Sequence, residues 1–245
     1  MMKTTIFLLF MSNLISFGQK KFEQDIIQTS KGDLKITFIG HGSLMFEFQG
    51  KYIYVDPVMQ SADYNTMPDA DLILITHEHG DHLDLNAISA LKKNGTEILL
   101  TEKCFSMLKE TASARKISNG STTEAKGFKI TAIPAYNIQN KRPDGSPFHP
   151  KGEGNGYIIE LGDKKILVAG DTENIPELKA LKGIDIAFLP MNLPYTMTSA
   201  MVADAALAFK PKVLYPYHFG DTNTSELIKL LEKEKGIEVR IRQMK

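Results

Sequence analysis

The sequence predicts an α/β protein in which two sheets pack face to face with helices outside. Three observations carry this. From Asp33 onward, strand-like and helix-like segments alternate. The alternation runs twice, each half opening on paired strands. Residues 70–79, "ADLILITHEH", form a nearly continuous apolar run before a group of histidines, the pattern of a strand buried on both faces.

In order, "LKITFIG" and "SLMFEFQGKYIYVDP" read as successive strands, with Gln49 and Gly50 turning the chain. The buried strand follows. Residues 85–93 have helical spacing and stop at "NG"; "TEILLT" and "GFKITAIPA" are the next strands. The second half opens on "GYIIELGDKKILVAGDT", a hairpin turning at Gly162 and Asp163. A helix near 176–181, the strand "IDIAFLPMN" and a helix over 199–209 come next, with Thr198 placed to cap the latter. "KVLYPYHFG", the helix "SELIKLLEKEK" and the strand "EVRIR" close the chain. Between the halves, residues 137–155 carry three prolines and three glycines, the composition of a long surface loop.

The first 18 residues differ from the rest. Lys3, an apolar stretch from Ile6 to Phe17, and the small residues Ser16 and Gly18 form a secretory signal pattern, with cleavage expected after Gly18. The apolar run is shorter than the roughly 20 residues that cross a bilayer, so no membrane span is expected after cleavage. Residues 19–245 are then one exported domain, periplasmic or secreted. Lys+Arg and Asp+Glu both number 29, so no basic excess marks a nucleic-acid groove. Cys104 is the only cysteine, which rules out an intrachain disulfide; its apolar neighbours make it a packed small residue.

The chemistry concentrates in "THEHGDH", which holds three of the six histidines. Side chains two apart at the end of a strand point the same way, so His77 and His79 can converge on one ion. Gly80 lets the backbone turn and carry Asp81 and His82 to a second ion. Imidazole and carboxylate suit zinc, and also manganese or iron. A histidine-rich exposed turn is the bland alternative, and the clustering of so few histidines argues against it.

H-x-H-x-D-H after an apolar strand resembles the signature of the metallo-β-lactamase superfamily. "IGHGSLMFEFQGKYIYVDP" with His41 and Asp56, "AGDT" with Asp171 and "YPYHFG" with His218 follow in that superfamily's order. The resemblance implies a four-layer αββα sandwich and two divalent ions, zinc by default. It places His77 and His79 on the first ion, Asp81, His82 and His218 on the second, and Asp171 between them. Glu78 falls at a variable position outside the ligand set. The superfamily usually supplies another histidine after the strand matching "ITAIPA", where this chain has Asn137. Either Asn137 binds directly or through water, or His149 reaches in from the loop, or the first site is underfilled; His149 is the preferred reading.

"GH-G-S…VDP", "AGDT" and "LPYTMT" look most like the branch of L-ascorbate-6-phosphate lactonase and N-acyl-phosphatidylethanolamine phospholipase D. The bridging aspartate disfavours β-lactam hydrolysis, and His79 stands where a flavin-linked diiron oxidoreductase has a carboxylate. Ribonuclease Z-like tRNA processing is disfavoured by the export signal and the lack of a basic arm. The expected activity is hydrolysis of an ester, lactone or phosphodiester in a small-molecule or lipid-like substrate, by a water activated between two cations. Asp81 and Asp171 are the candidate proton carriers. His41 and Tyr195 are candidate substrate contacts, Met197 a candidate pocket wall, and Asp56 a brace for the ligand loop. The alternative is a non-catalytic metal-binding or ligand-sensing protein on the same fold. No oligomeric state is implied.

Overall fold

The computed structural model describes residues 21–244. The expected signal segment and its cleavage site at Gly18 lie outside these residues.

Each half of the chain builds one seven-stranded sheet. The first comprises β1 (Glu23–Thr29), β2 (Gly32–Gly40), β3 (Ser43–Phe48), β4 (Lys51–Val55), β5 (Ala70–Leu74), β6 (Lys92–Leu100) and β7 (Ala114–Lys116), in that spatial order. The second comprises β8 (Thr122–Ala125), β9 (Phe128–Ala135), β10 (Gly154–Leu161), β11 (Lys164–Val168), β12 (Ile186–Pro190), β13 (Val213–Tyr217) and β14 (Glu238–Val239). In both sheets the first four strands are antiparallel, and the rest join by parallel crossovers.

The period-2 alternation of side chains sorts each strand between two layers. On β2 to β5, Leu34, Ile36, Phe38, Leu44, Phe46, Ile53, Leu72 and Leu74 face the second sheet. Met45, Tyr54 and Ile73, one position out of phase, face outward, where α1 (Leu85–Leu91) and α2 (Glu102–Met107) cover them. Phe38 meets Tyr215 at 5.0 Å and Phe46 meets Phe188 at 5.9 Å between ring centroids, joining the sheets through aromatic contacts. Helices α3 (Pro176–Lys179), α4 (Ser199–Phe209) and α5 (Ser225–Leu231) cover the second sheet. This is the αββα sandwich.

Several local expectations shift. β1, with the mostly exposed sequence "EQDIIQT", has no strong apolar alternation, and pairing with β2 makes it a strand. Asn94 and Gly95 lie within β6, where the register against β5 is irregular. Only Glu238 and Val239 of "EVRIR" pair as strand. The loop after β9 ends at Lys151–Glu153, since Gly154 and Asn155 already belong to β10. Thr198 caps α4 by accepting from Met201 N at 3.1 Å, as expected, and Cys104 is the buried residue of α2.

Asp25 of β1 ties the two sheets at their edges. Its carboxylate accepts from the Tyr215 hydroxyl of β13 at 2.5 Å, from Arg242 at 2.7 and 2.8 Å, and from Arg240 at 3.2 Å. Burial raises the Asp25 pKa, but the hydroxyl and the two guanidiniums outweigh it and hold the group below its ordinary 3.8. The stabilisation is therefore present above about pH 3.8 and lost as pH falls through the lower folded value. Asp25→Asn is expected to cost about 2–3 kcal/mol at pH 7. Urea melts at pH 7 and below pH 3 check this: the gap to wild type should close at the lower pH, and an unchanged gap would refute the ionic account.

Candidate metal centre

The site lies where the parallel strands of both sheets end. Thr76 and His77 follow β5, and the chain turns through residues 78–82 before α1. Asp171 follows β11, His218 follows β13, and His41 sits in the bend between β2 and β3. His149 comes from the long loop between β9 and β10.

These side chains converge as two adjoining groups. In one, His77 Nε2 lies 3.1 Å from His79 Nδ1, which lies 3.2 Å from His149 Nε2. In the other, His41, Asp81, His82 and His218 bring their ligand atoms within 4.8 Å of one another. Asp171 stands between them: Oδ2 is 3.3 Å from His149 Nε2, 3.5 Å from His218 Nε2 and 3.9 Å from His77 Nε2, while Oδ1 is 3.4 Å from His82 Nε2. Every residue expected to ligate an ion is thus brought together, the loop histidine included.

The supporting contacts fix which atoms face inward. Asp56, fully buried, accepts from Thr76 N at 2.8 Å and Thr76 Oγ1 at 2.6 Å, and pairs with His82 Nδ1 at 2.8 Å, leaving His82 Nε2 to point into the site. Asp56 is the brace that the sequence suggests; Thr76 is a brace it did not flag. Gly42 permits the approach of this ring, since a Cβ there would meet His82 Cε1 at 3.0 Å. Glu78 pairs with Lys103 at 2.7 Å, the same oxygen lying 4.0 Å from His79 Nε2. Asn137 is the chief surprise: its oxygen faces His149, accepting from His149 N and pairing with Nδ1, both at 2.8 Å. A direct ligand role for Asn137 therefore falls away.

His41 lies at the mouth, its Nε2 3.2 Å from Asp81 Oδ2 and its ring 3.8 Å from that of His218. It helps line a cavity of about 270 Å³ with Val58, Gln60 and Asp81. His41, Asp56 and His218 all adopt the left-handed backbone region, with φ of 53°, 44° and 49°. Such strain persists where surrounding contacts impose it, often at functional sites. Tyr195 is exposed, and its ring packs on Phe148 at 5.1 Å on the loop that carries His149. Met197 is fully buried in the core.

Residues 35–218 match the model of the beta-lactamase superfamily domain. The chain is 34% identical to a UPF0173 metal-dependent hydrolase of Thermococcus onnurineus, over 76% of this chain and 84% of that protein. A Flavobacterium johnsoniae protein of the same description matches with the same identity and coverage. The chain belongs to the beta-lactamase superfamily. Within it, the chain falls among the metal-dependent hydrolases. A solved structure from Parabacteroides distasonis, assigned to the metal-dependent hydrolases, is 49% identical, with a TM-score of 0.86 over 92% of this chain and all of that one. A metallo hydrolase from Ignicoccus hospitalis, 23% identical, shares the fold with a TM-score of 0.69 over 86% of this chain and 95% of that one.

This beta-lactamase superfamily site packs charge tightly. Burial pushes Asp171 up, but the surrounding imidazoles, those of His218 and His82 first, outweigh it and hold the carboxyl well below its ordinary range. Burial, reinforced by His82, drives His77 well below 6.5. Burial also lowers His82, yet Asp171, Asp56 and Asp81 overcome it and raise its pKa to about 9. Nuclear magnetic resonance of the histidine rings in ion-free protein tests this contrast. His82 should keep its second proton until about pH 9, and His77 should stay neutral through mildly acidic pH. A His82 transition at or below pH 6.5 would contradict the assignment.

Proposed function

We propose that the protein is a dinuclear metal-dependent hydrolase in which His77, His79 and His149 hold one divalent ion, Asp81, His82 and His218 hold a second, and Asp171 bridges the two. The observation that carries this is a set of buried polar atoms with no partner: His82 Nε2, Asp171 Oδ1, His218 Nδ1 and His218 Nε2. Buried polar atoms are rarely left unpaired, because desolvation without a partner is costly. Three of these four atoms face the gap between the two groups, where the first triad offers three imidazole nitrogens and the second two nitrogens and a carboxylate oxygen, donors of the kind zinc takes; manganese and iron suit them too.

Two such ions would supply a lowered water pKa and polarisation of the group under attack. The chain's own residues do the rest. Asp56 and Asn137 orient the rings of His82 and His149, so that one nitrogen of each faces inward. Asp81, half-exposed beside the cavity, is placed to carry a proton to a leaving group, with Asp171 the buried alternative. His41, on the cavity wall and hydrogen-bonded to Asp81, is placed to touch the departing portion of the substrate.

The substrate class favoured is an ester, lactone or phosphodiester, on the strength of the sequence resemblance to the lactonase and phospholipase D branch. The signal pattern of residues 1–18 supports work outside the cytoplasm. No helix among the described residues is long and apolar enough to cross a membrane.

Asp171→Ala should abolish hydrolysis of a panel of lactones, esters and phosphodiesters, a loss of at least about 10³-fold in kcat/KM, while circular dichroism stays unchanged. Persisting activity would remove the bridge. Elemental analysis of His149→Ala should show about one ion fewer per chain than wild type; unchanged stoichiometry would remove His149 from the ligand set.

A further inference from the structure

Glu173 is fully buried, yet forms no ion pair among the described residues. Its carboxylate is instead filled with N–H donors from the start of the long loop. Oε2 accepts from Ile138 N at 2.9 Å and Gln139 N at 2.8 Å; Oε1 accepts from Asn140 N at 2.6 Å and from Asn137 Nδ2 at 3.2 Å. An ionised carboxylate has about four acceptor positions, and all are used. These donors offset the cost of burying the carboxylate.

The consequence passes to Asn137. Its Nδ2 donates to Glu173 Oε1 and, at 2.9 Å, to the carbonyl of Tyr195. Two acceptors on that side leave one orientation for the amide, with Oδ1 turned toward His149. Oδ1 then accepts from the backbone N–H of His149 and from Nδ1, both at 2.8 Å. With the ring proton held at Nδ1, the lone pair sits on Nε2, the atom that faces His79 and Asp171. The backbone repeats the link: Asn137 N donates to His149 O at 2.9 Å, and Glu173 N donates to Tyr136 O at 3.0 Å.

We propose that Glu173 and Asn137 are positioning residues, a relay from a buried carboxylate through an amide that sets the tautomer and place of His149 and so completes the first ion site from a loop. The inference rests on the two-ion reading above. It explains why an asparagine stands where a ligand is expected: the ligand has moved 12 residues along the chain, and the residue left behind aims it. Asp171 and Glu173 lie two residues apart, so one short segment supplies both the bridge and the origin of the relay.

The test is zinc affinity, measured by competition with a chromophoric chelator on wild type, Asn137→Ala, Glu173→Gln, His149→Ala, and each relay variant combined with His149→Ala. Loss of a partner that orients a ligand weakens binding roughly 10- to 100-fold. Asn137→Ala and Glu173→Gln should each weaken the first ion by that factor, while the second ion, bound as in wild type, shows that the fold is intact. Because both act through His149, neither should weaken zinc further in the His149→Ala background. Two ions in wild type, with either variant holding both as tightly or weakening zinc equally with and without His149, would overturn the relay. Fewer than two ions in wild type would overturn the two-ion reading itself.

Discussion

A carboxylate at Asp171, almost wholly removed from water, lies within 4 Å of four imidazoles carried by three separate stretches of chain. Around it, buried ring nitrogens and carboxylate oxygens face one another, and several of them have no hydrogen-bond partner. An apolar interior would not tolerate such an arrangement without compensation. Much of the architecture near the strand ends serves to hold it: the parallel crossovers bring β5, β11 and β13 to one rim, and Asp56 locks the first of those ends to its histidine.

The duplicated sheets explain why one rim can collect so many ligands. Each half runs four antiparallel strands and then parallel ones, so each half sends strand ends to the same side. The sheets are locked by Phe38, Phe46, Phe188 and Tyr215 in the middle and by Asp25 with its two arginines at the edge. With both sheets fixed, the strained backbone at His41, Asp56 and His218 is over-determined by its surroundings, and the side chains it presents are held in advance of any ligand.

Much of this was legible in the sequence, because the strands of a sandwich core are apolar in period 2 and the ligands cluster where those runs stop. The H-x-H-x-D-H segment, Asp171 and His218 could be read from residue type and order. β1 and the first residues of β6 could not, because pairing with neighbours, rather than their own composition, makes them strands. Asn137 was visible as an anomaly but its role was not, since the direction of an amide depends on Glu173 and Tyr195, distant in sequence. The signal for Glu173 lies in its place: an acid two residues past Asp171, in a segment that leads into the buried Ile175.

The long loop is therefore only partly a surface excursion. Its prolines and glycines lie mostly in water, but its ends, at Asn137 and His149, are buried and joined to each other. A loop fixed in this way can vary at its tip without disturbing the ion site, and Phe148 and Tyr195 place an aromatic pair beside that fixed end.

The central claim is that two ions occupy adjoining sites joined by Asp171. Anomalous diffraction from zinc-soaked crystals of the protein tests it most directly. Two peaks are predicted, one among His77, His79 and His149 and the other among Asp81, His82 and His218, with Asp171 touching both; a single peak, or peaks away from these residues, would contradict it.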